Sequence, residues 1–335
     1  AARLEDMDTM GIDAAVLHPT LFNEYLPIVE NPQLAAVLAR AYNDWILDLC
    51  QAEPDRLLPV AVLPLQNALE ARRELIRVAE LGFTSVLLRP MFYAVAVDRP
   101  VAAALALQGG GMGPTLPDGM EAIFLDDPYY RTVWDEMAER DLVACIHPSP
   151  GSTNPNGVSA GTFIERVATR LGIGHRVAET VAGIQDNAVF VTAACYHGLL
   201  EDYPNLRMAL LHGSASMTPL TLEKSETYLW LGTGGDELTN GAPVSLEPEH
   251  VFEDHPVVVS FPSWETSVGR LAAKVPAIGH KAAWGSRYPQ HDASDPKTAI
   301  DMLCAHHVDA ELQAGLMGGH ADALFRLGMA APVTT

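Results

Sequence analysis

The chain has 335 residues, 48% of them hydrophobic and 19% charged, enough to bury the core of one large α/β barrel or of two ordinary domains. With 42 acidic residues against 21 basic ones its net charge is −21, which argues against nucleic acid and against an anionic membrane surface as partners, although one local arginine can still hold a small anion. Cys50, Cys145, Cys195 and Cys304 form no C-x-x-C pair, no apolar run approaches the roughly 20 residues of a membrane span, and no basic-then-apolar leader is present, so a reduced cytoplasmic setting is expected.

The chain opens Ala-Ala-Arg-Leu-Glu without a methionine, which points to processing or to residues upstream. Arg3 to Met10 has helical spacing and leads through Gly11 into an apolar strand ending at His18-Pro19. An amphipathic helix over Leu34 to Cys50 is broken by Pro54-Asp55-Arg56, and Leu57 to Pro64 reads as a buried strand. A helix over Ala68 to Leu81 stops at Gly82, and Ser85 to Leu88 is a strand ending at Arg89-Pro90. Residues 91–126 then break the period around Gly109-Gly110-Gly111 and read as a long excursion, either a lid over a barrel mouth or a surface or subunit-contact loop.

Alternation resumes with Asp127-Pro128 starting a helix to about Arg140 and a strand from Leu142 ending at His147-Pro148. Ser149 to Gly161 reads as a loop, Phe163 to Leu200 as mostly helix, and Leu206 to Leu211 as a strand ending at His212-Gly213. A helix over Met217 to Leu231, a strand over Val257 to Phe261 and a helix over Thr266 to Val275 follow. Lys281 to Trp284 is the last strand and stops near Arg287; helices over Ala299 to His307, Ala310 to Leu316 and Ala321 to Leu327 close the chain.

Seven strands, near Val16, Val60, Val86, Ala144, Ala209, Val258 and Ala283, alternate with helices and no linker divides them. That pattern predicts one α/β domain over 1–335, a (β/α)8 TIM barrel whose first strand lies upstream or is missing. An open doubly wound sheet is the runner-up, without a G-x-G-x-x-G turn to support a nucleotide site.

Side chains at the carboxyl ends of parallel strands face the ligand. His147 and His212 hold equivalent strand ends, and imidazole suits either metal ligation or proton transfer. His18 has the same placement and is as readily a bystander as a ligand. Arg89 and Arg287 are permanent cations suited either to a substrate carboxylate or to pairing with a structural acid, with Tyr288 lining the pocket and Trp284 in the core. His197 reads as a helix-terminal residue satisfied by backbone, His306 and His307 as surface residues, His320 as a weak approach to the mouth, and Glu247 to Asp254 as a solvated acidic loop.

Five segments taken together resemble the amidohydrolase-related family, the branch of the amidohydrolase superfamily that includes aminocarboxymuconate-semialdehyde decarboxylase and resorcylate decarboxylases. They are Asp6-Met7-Asp8 through Asp13, Ile146-His147-Pro148, Leu200 to Arg207 running into His212-Gly213, Gly285-Ser286-Arg287-Tyr288-Pro289, and Gly319 to Phe325. The resemblance implies a barrel with a divalent metal, usually zinc, at its mouth. His147 matches the ligand after the fifth strand and His212 the histidine after the sixth. The family's first-strand His-x-His pair has no counterpart, and Arg287 stands where the family has its eighth-strand aspartate, with Gln290 where it has a histidine. A guanidinium has no lone pair for a metal and repels one.

The expected activity is hydrolysis or non-oxidative decarboxylation of a small carboxylated or carbonyl-containing molecule, with His147, His212 and Arg287 catalytic and Arg89, Arg287, Tyr288 and His18 binding substrate. Alternatives are a metal-free lyase or cyclase in which His147 and His212 move protons, and a non-catalytic ligand-binding or subunit-interaction barrel. A homo-oligomer is expected.

Overall fold

The apolar runs become strands because each is long enough to be buried on both faces and is stopped by proline, glycine or a charge. The computed structural model describes residues 2–20, 22–29, 31–95, 120–148, 176–234, 238–239, 242–290 and 292–329. In chain order the strands are β1 (Ala15–Leu17), β2 (Leu57–Pro59), β3 (Ala61–Val62), β4 (Ser85–Leu88), β5 (Met91–Val95), β6 (Met120–Phe124), β7 (Val143–Ile146), β8 (Met208–Leu210), β9 (Leu238–Thr239), β10 (Ala242–Pro243), β11 (Val257–Phe261) and β12 (Ala282–Trp284).

β3, β4, β7, β8, β11 and β12 form one six-stranded sheet in that spatial order, with every ladder parallel. β1 pairs with β2, also in parallel. Val60, between β2 and β3, donates its N–H to the Leu17 carbonyl at 3.1 Å, so the path from the sheet to β1 is continuous. Helices make the crossovers that parallel neighbours need, among them Pro32–Cys50, Ala68–Glu80, Arg131–Glu139, Arg176–Tyr196, Met217–Thr233 and Thr266–Leu271. Spatial order follows chain order without the reversal that defines a doubly wound sheet. The fold is thus of the (β/α)8 barrel type, and among the described residues no ladder joins β12 to β1.

Alternation along the strands sorts side chains onto two faces. Val86, Leu88, Ala144, Ile146, Met208, Leu210, Val257, Val259 and Ala282 pack against helical residues such as Leu75, Val78, Trp134, Met137, Phe190, Leu222 and Ile278. The intervening Val60, Val62, Leu87, Val143, Cys145, Ala209, Val258 and Ala283 turn to the other side, where Leu324 and Phe325 of the helix His320–Phe325 join them. Ala209, Cys145 and Ala283 are small, so this inner face keeps open space.

Several expectations need correction. The acidic run at Glu247 to Asp254 is largely helix, Pro248–Asp254, with proline in its first turn and Phe252 buried. The helix predicted over Thr266 to Val275 ends at Leu271, and Pro276 starts a separate turn of helix, Pro276–Gly279. The excursion after Arg89 begins and ends as an antiparallel hairpin, Met91 opposite Phe124 through Val95 opposite Met120. Its glycine-rich centre, like the loop expected over Ser149 to Gly161, lies outside the described residues.

Trp134 carries much of the outer layer: it is 2% exposed and its Nε1 donates to the Leu125 carbonyl at 2.9 Å. Trp134→Ala is predicted to cost about 3–5 kcal/mol of stability. Trp134→Phe, which keeps a ring and orphans the carbonyl, should cost about 1–3 kcal/mol in the same urea denaturation series.

Candidate active site

Because the sheet is parallel, the polar residues that end its strands emerge on one side. His18 follows β1, Arg89 follows β4, His147 follows β7, and His212 and Arg287 come two and three residues after β8 and β12. The His147 and His212 rings lie 5.4 Å apart between centroids, at an interplanar angle of 54°. Both line a cavity of about 2000 Å³ together with His18, Trp284, Arg287 and Tyr288. The cavity reaches inward past Ala209, Val258 and Ala283, where small side chains leave it room.

Hydrogen bonding fixes which ring nitrogens carry protons. His18 Nδ1 is 3.1 Å from the Val16 carbonyl, which can only accept, so Nδ1 holds the hydrogen. Its buried Nε2 has no hydrogen-bond partner among the described residues. His147 Nδ1 is 2.8 Å from the Pro148 carbonyl and 3.0 Å from the Asn23 amide. The same logic puts hydrogen on Nδ1 and turns the amide oxygen of Asn23 toward it, which also satisfies an oxygen otherwise buried without a partner. Nε2 of His147 keeps its lone pair.

Both rings are neutral at pH 7. Burial pushes His18 down to about 4, with the Val16 carbonyl opposing. Burial also pushes His147 down to about 3; the Pro148 carbonyl opposes this, and the charges of His18, Arg287 and Arg89 add to it.

Arg287 sits at φ 54 and forms an ion pair with Asp292. The chain returns because Gln290 N–H donates to the Arg287 carbonyl at 2.8 Å and Ser294 N–H to the Ser286 carbonyl at 2.9 Å. Thus, of the two readings of this strand-end cation, the pairing with an acid of the chain is the one formed. Tyr288 lines the cavity, but its hydroxyl donates to Asp6 at 2.5 Å and its ring lies under Arg3, 5.1 Å from the guanidinium carbon. The Asp6 hydrogen bond is the main reason its phenol is raised above the ordinary value.

Arg89 is 4% exposed and is not among the residues lining the cavity, so it reaches the site as a charge felt by His147. Trp284 is half-buried, and its Nε1 donates to Ser263 Oγ at 3.0 Å. His197 is held by the carboxylate of Asp126 and not by backbone, and that hydrogen bond raises its pKa. His320 faces the Ala282 carbonyl at the start of β12, 2.8 Å away, not the mouth; His306 and His307 are exposed as expected. Asn23 and Asp292 went unnoticed in these roles, since neither occupies a strand end.

The family model described as Amidohydrolase matches residues 1–327. The chain belongs to this amidohydrolase family. It is 30% identical over 213 residues to a gamma-resorcylate decarboxylase of Rhodococcus jostii (strain RHA1), covering 63% of this chain and 54% of that protein. A gamma-resorcylate decarboxylase of Rhizobium sp. (strain MTP-10005) is 28% identical over the same share of each. The chain therefore spans about half the length of the curated relatives it matches. Among solved structures, 2,6-dihydroxybenzoate decarboxylase from Rhizobium superposes with a TM-score of 0.68 at 21% identity, over 98% of this chain and 88% of that one. A dihydroxybenzoic acid decarboxylase from Polaromonas sp. JS666, with bound manganese and 2-nitroresorcinol, gives 0.69 at 20% identity, over 100% and 88%. These likenesses establish the amidohydrolase barrel.

Whether this amidohydrolase can hold a divalent cation depends on its own donors. Among the described residues, no three His, Cys, Asp or Glu side chains are grouped to hold an ion. His147 and His212 offer two imidazoles, Arg287 brings positive charge, and Asp292, the acid drawn to this turn, is bound to Arg287. The described donor set does not by itself fit a divalent metal.

The neutral histidines make stability depend on pH. In the unfolded chain His18 and His147 return to about 6.5 and bind protons that the folded protein, at about 4 and about 3, refuses. Their contribution is complete above pH 6.5 and falls as pH drops toward 4 and 3, with a slope approaching about 1.4 kcal/mol per pH unit for each histidine. Urea unfolding between pH 7.5 and 5 checks this: His18→Gln should flatten the slope by about one proton, and an unchanged slope contradicts the assignment.

Proposed function

We propose that this amidohydrolase is a carboxy-lyase that removes CO2, without an oxidant, from a small aromatic carboxylate carrying a ring hydroxyl beside the carboxyl group. The observation that carries the reading is the His147–His212 pair facing one cavity with Arg287, an arrangement for an anion and a proton. The names of the relatives, resorcylate and dihydroxybenzoate decarboxylases, support the same substrate class. Hydrolysis is the weaker reading, because activating water needs a strong general base: Asp292 is engaged by Arg287, and His147, pushed down to about 3 by burial, is a weak one.

In the proposed reaction Arg287 exchanges Asp292 for the substrate carboxylate, one charge-assisted pair for another. His147, neutral with its lone pair on Nε2, accepts a hydrogen bond from the ring hydroxyl and so raises electron density at the carbon bearing the carboxylate. His212 delivers a proton to that carbon. The bond to the carboxylate then breaks, its electron pair restores the aromatic ring, and CO2 leaves. A small apolar cavity floor of Ala209, Val258 and Ala283 seats the ring and excludes water.

Incubation with 2,6-dihydroxybenzoate and other ortho-hydroxybenzoates, with detection of CO2 and the phenol, tests the reading. His212→Asn should lower kcat by roughly 100-fold or more, as loss of a general acid does. Arg287→Met should raise KM by about tenfold with a smaller effect on kcat. Binding of these anions without CO2 release would instead mark a binding protein.

A further inference from the structure

The loop that carries His212 is held in a conformation its own sequence does not favour. His212 at φ 53 and Ser214 at φ 68 both lie in the left-handed region, which residues with a Cβ occupy uncommonly, histidine more readily than serine, so two such residues one apart need support from their surroundings. The helix Arg176–Tyr196 confines the loop from one side. There Asn187 donates to the Leu211 carbonyl at 2.9 Å, and Gly183 presses so close that an added Cβ would sit 2.4 Å from the His212 carbonyl oxygen. From the other side Ser260 Oγ accepts the His212 N–H at 2.9 Å.

The remaining support is Glu265, 5% exposed, on the turn after β11. Its Oε1 accepts the Ser214 hydroxyl at 2.6 Å and the Ser216 N–H at 2.8 Å, and its Oε2 accepts the Ala215 N–H at 3.3 Å. Among the described residues no cation forms a salt bridge with it. A carboxylate buried without a cation is stabilised by the donors it finds, and here all three belong to one short loop. Removing it would orphan those donors at the turn that aims His212.

We propose that Glu265 is a positioning residue: by gripping Ser214, Ala215 and Ser216 it holds the His212 backbone left-handed and its ring opposite His147. This deepens the proposed decarboxylation, from which it takes only the role of His212 as proton carrier. The competing account is helix capping, since Ser216 precedes the helix Met217–Thr233 and its own side chain does not cap it. Capping alone predicts lost stability with the imidazole undisturbed.

Ring-labelled histidine NMR of the full chain separates the two, with the His212 signal assigned by its loss in His212→Asn. In Glu265→Ala the His212 signal should shift and broaden while those of His255 and His320 stay in place. Glu265→Gln keeps an oxygen for Ser214 and Ser216 and should return the His212 signal toward its original position. On an active substrate, Glu265→Ala should lower kcat on the order of 100-fold with KM little changed. If Glu265→Ala does not fold, Ser214→Ala removes one grip alone and should shift the same signal. A His212 signal unmoved in a folded Glu265→Ala, or unmoved in Ser214→Ala, overturns the proposal. The NMR readout needs no substrate, so absence of CO2 release from the unaltered protein would count against the reaction and leave this inference standing or falling by itself.

Discussion

The Arg287–Asp292 ion pair sets the charge that the cavity presents. A lone guanidinium at the mouth would be a strong permanent anion site, and a lone carboxylate beside two imidazoles would be the start of a cation site. Bound to each other they are neither, and an entering ligand must take the place of one partner. A carboxylate can take the place of Asp292 and keep the guanidinium paired, while the released Asp292 carboxylate, 23% exposed, turns to water. A cation replacing Arg287 would have to push a positive group into a wall whose other groups, His18 and His147, are already neutral because burial, and at His147 the nearby guanidiniums as well, disfavours their protonated forms. The pair thus biases the site toward small carboxylates in a chain whose net charge of −21 would otherwise repel them.

That electrostatic arrangement depends on the parallel sheet. Successive strands rise in the same direction and end on polar residues, so positions as distant in sequence as His18 and Arg287 line one cavity. The inner-face alanines do the complementary work: at 209 and 283 a larger side chain would fill the space the ligand needs. The histidines are held by their neighbours as well as by their strands. Pro148 and Asn23 fix the tautomer of His147, and Ser260, Asn187 and Glu265 fix the loop of His212.

Most strand ends were readable because each is written locally: an apolar run, one polar residue, then proline or glycine, as at Leu88-Arg89-Pro90 and Ile146-His147-Pro148. The helix start at Asp127 was legible for the same reason, since a side chain that caps and the amides it caps are adjacent in sequence. What depends on distant pairing was not. Asp292 reaches Arg287 because hydrogen bonds such as Ser294 to Ser286 fold the turn back, and a spacing of five residues carries no local signal for that pairing. The β5–β6 hairpin pairs Met91 with Phe124 across a glycine-rich stretch without a local signature. At Glu247 to Asp254 acidic composition hid a helix whose anchor, Phe252, is one buried residue in a charged run. Asn23 has no pattern at all; it matters because a short helix brings it beside a histidine 124 positions away.

The measurement that bears most directly on the charge of the site is a titration of Arg287→Asp with Mn²⁺, alongside the unaltered protein and a variant that also lacks both imidazoles. Aspartate is well tolerated at the left-handed φ of this position, so the backbone need not change. It would stand with Asp292, His147 and His212, turning two imidazoles beside a cation into two imidazoles beside two carboxylates. Affinity for Mn²⁺ is predicted to rise by tenfold or more, about 1.4 kcal/mol, and the gain should vanish when His147 and His212 are both replaced by asparagine. Equal affinity in Arg287→Asp and the unaltered protein would contradict the claim that the residue at 287 decides which charge this cavity accepts.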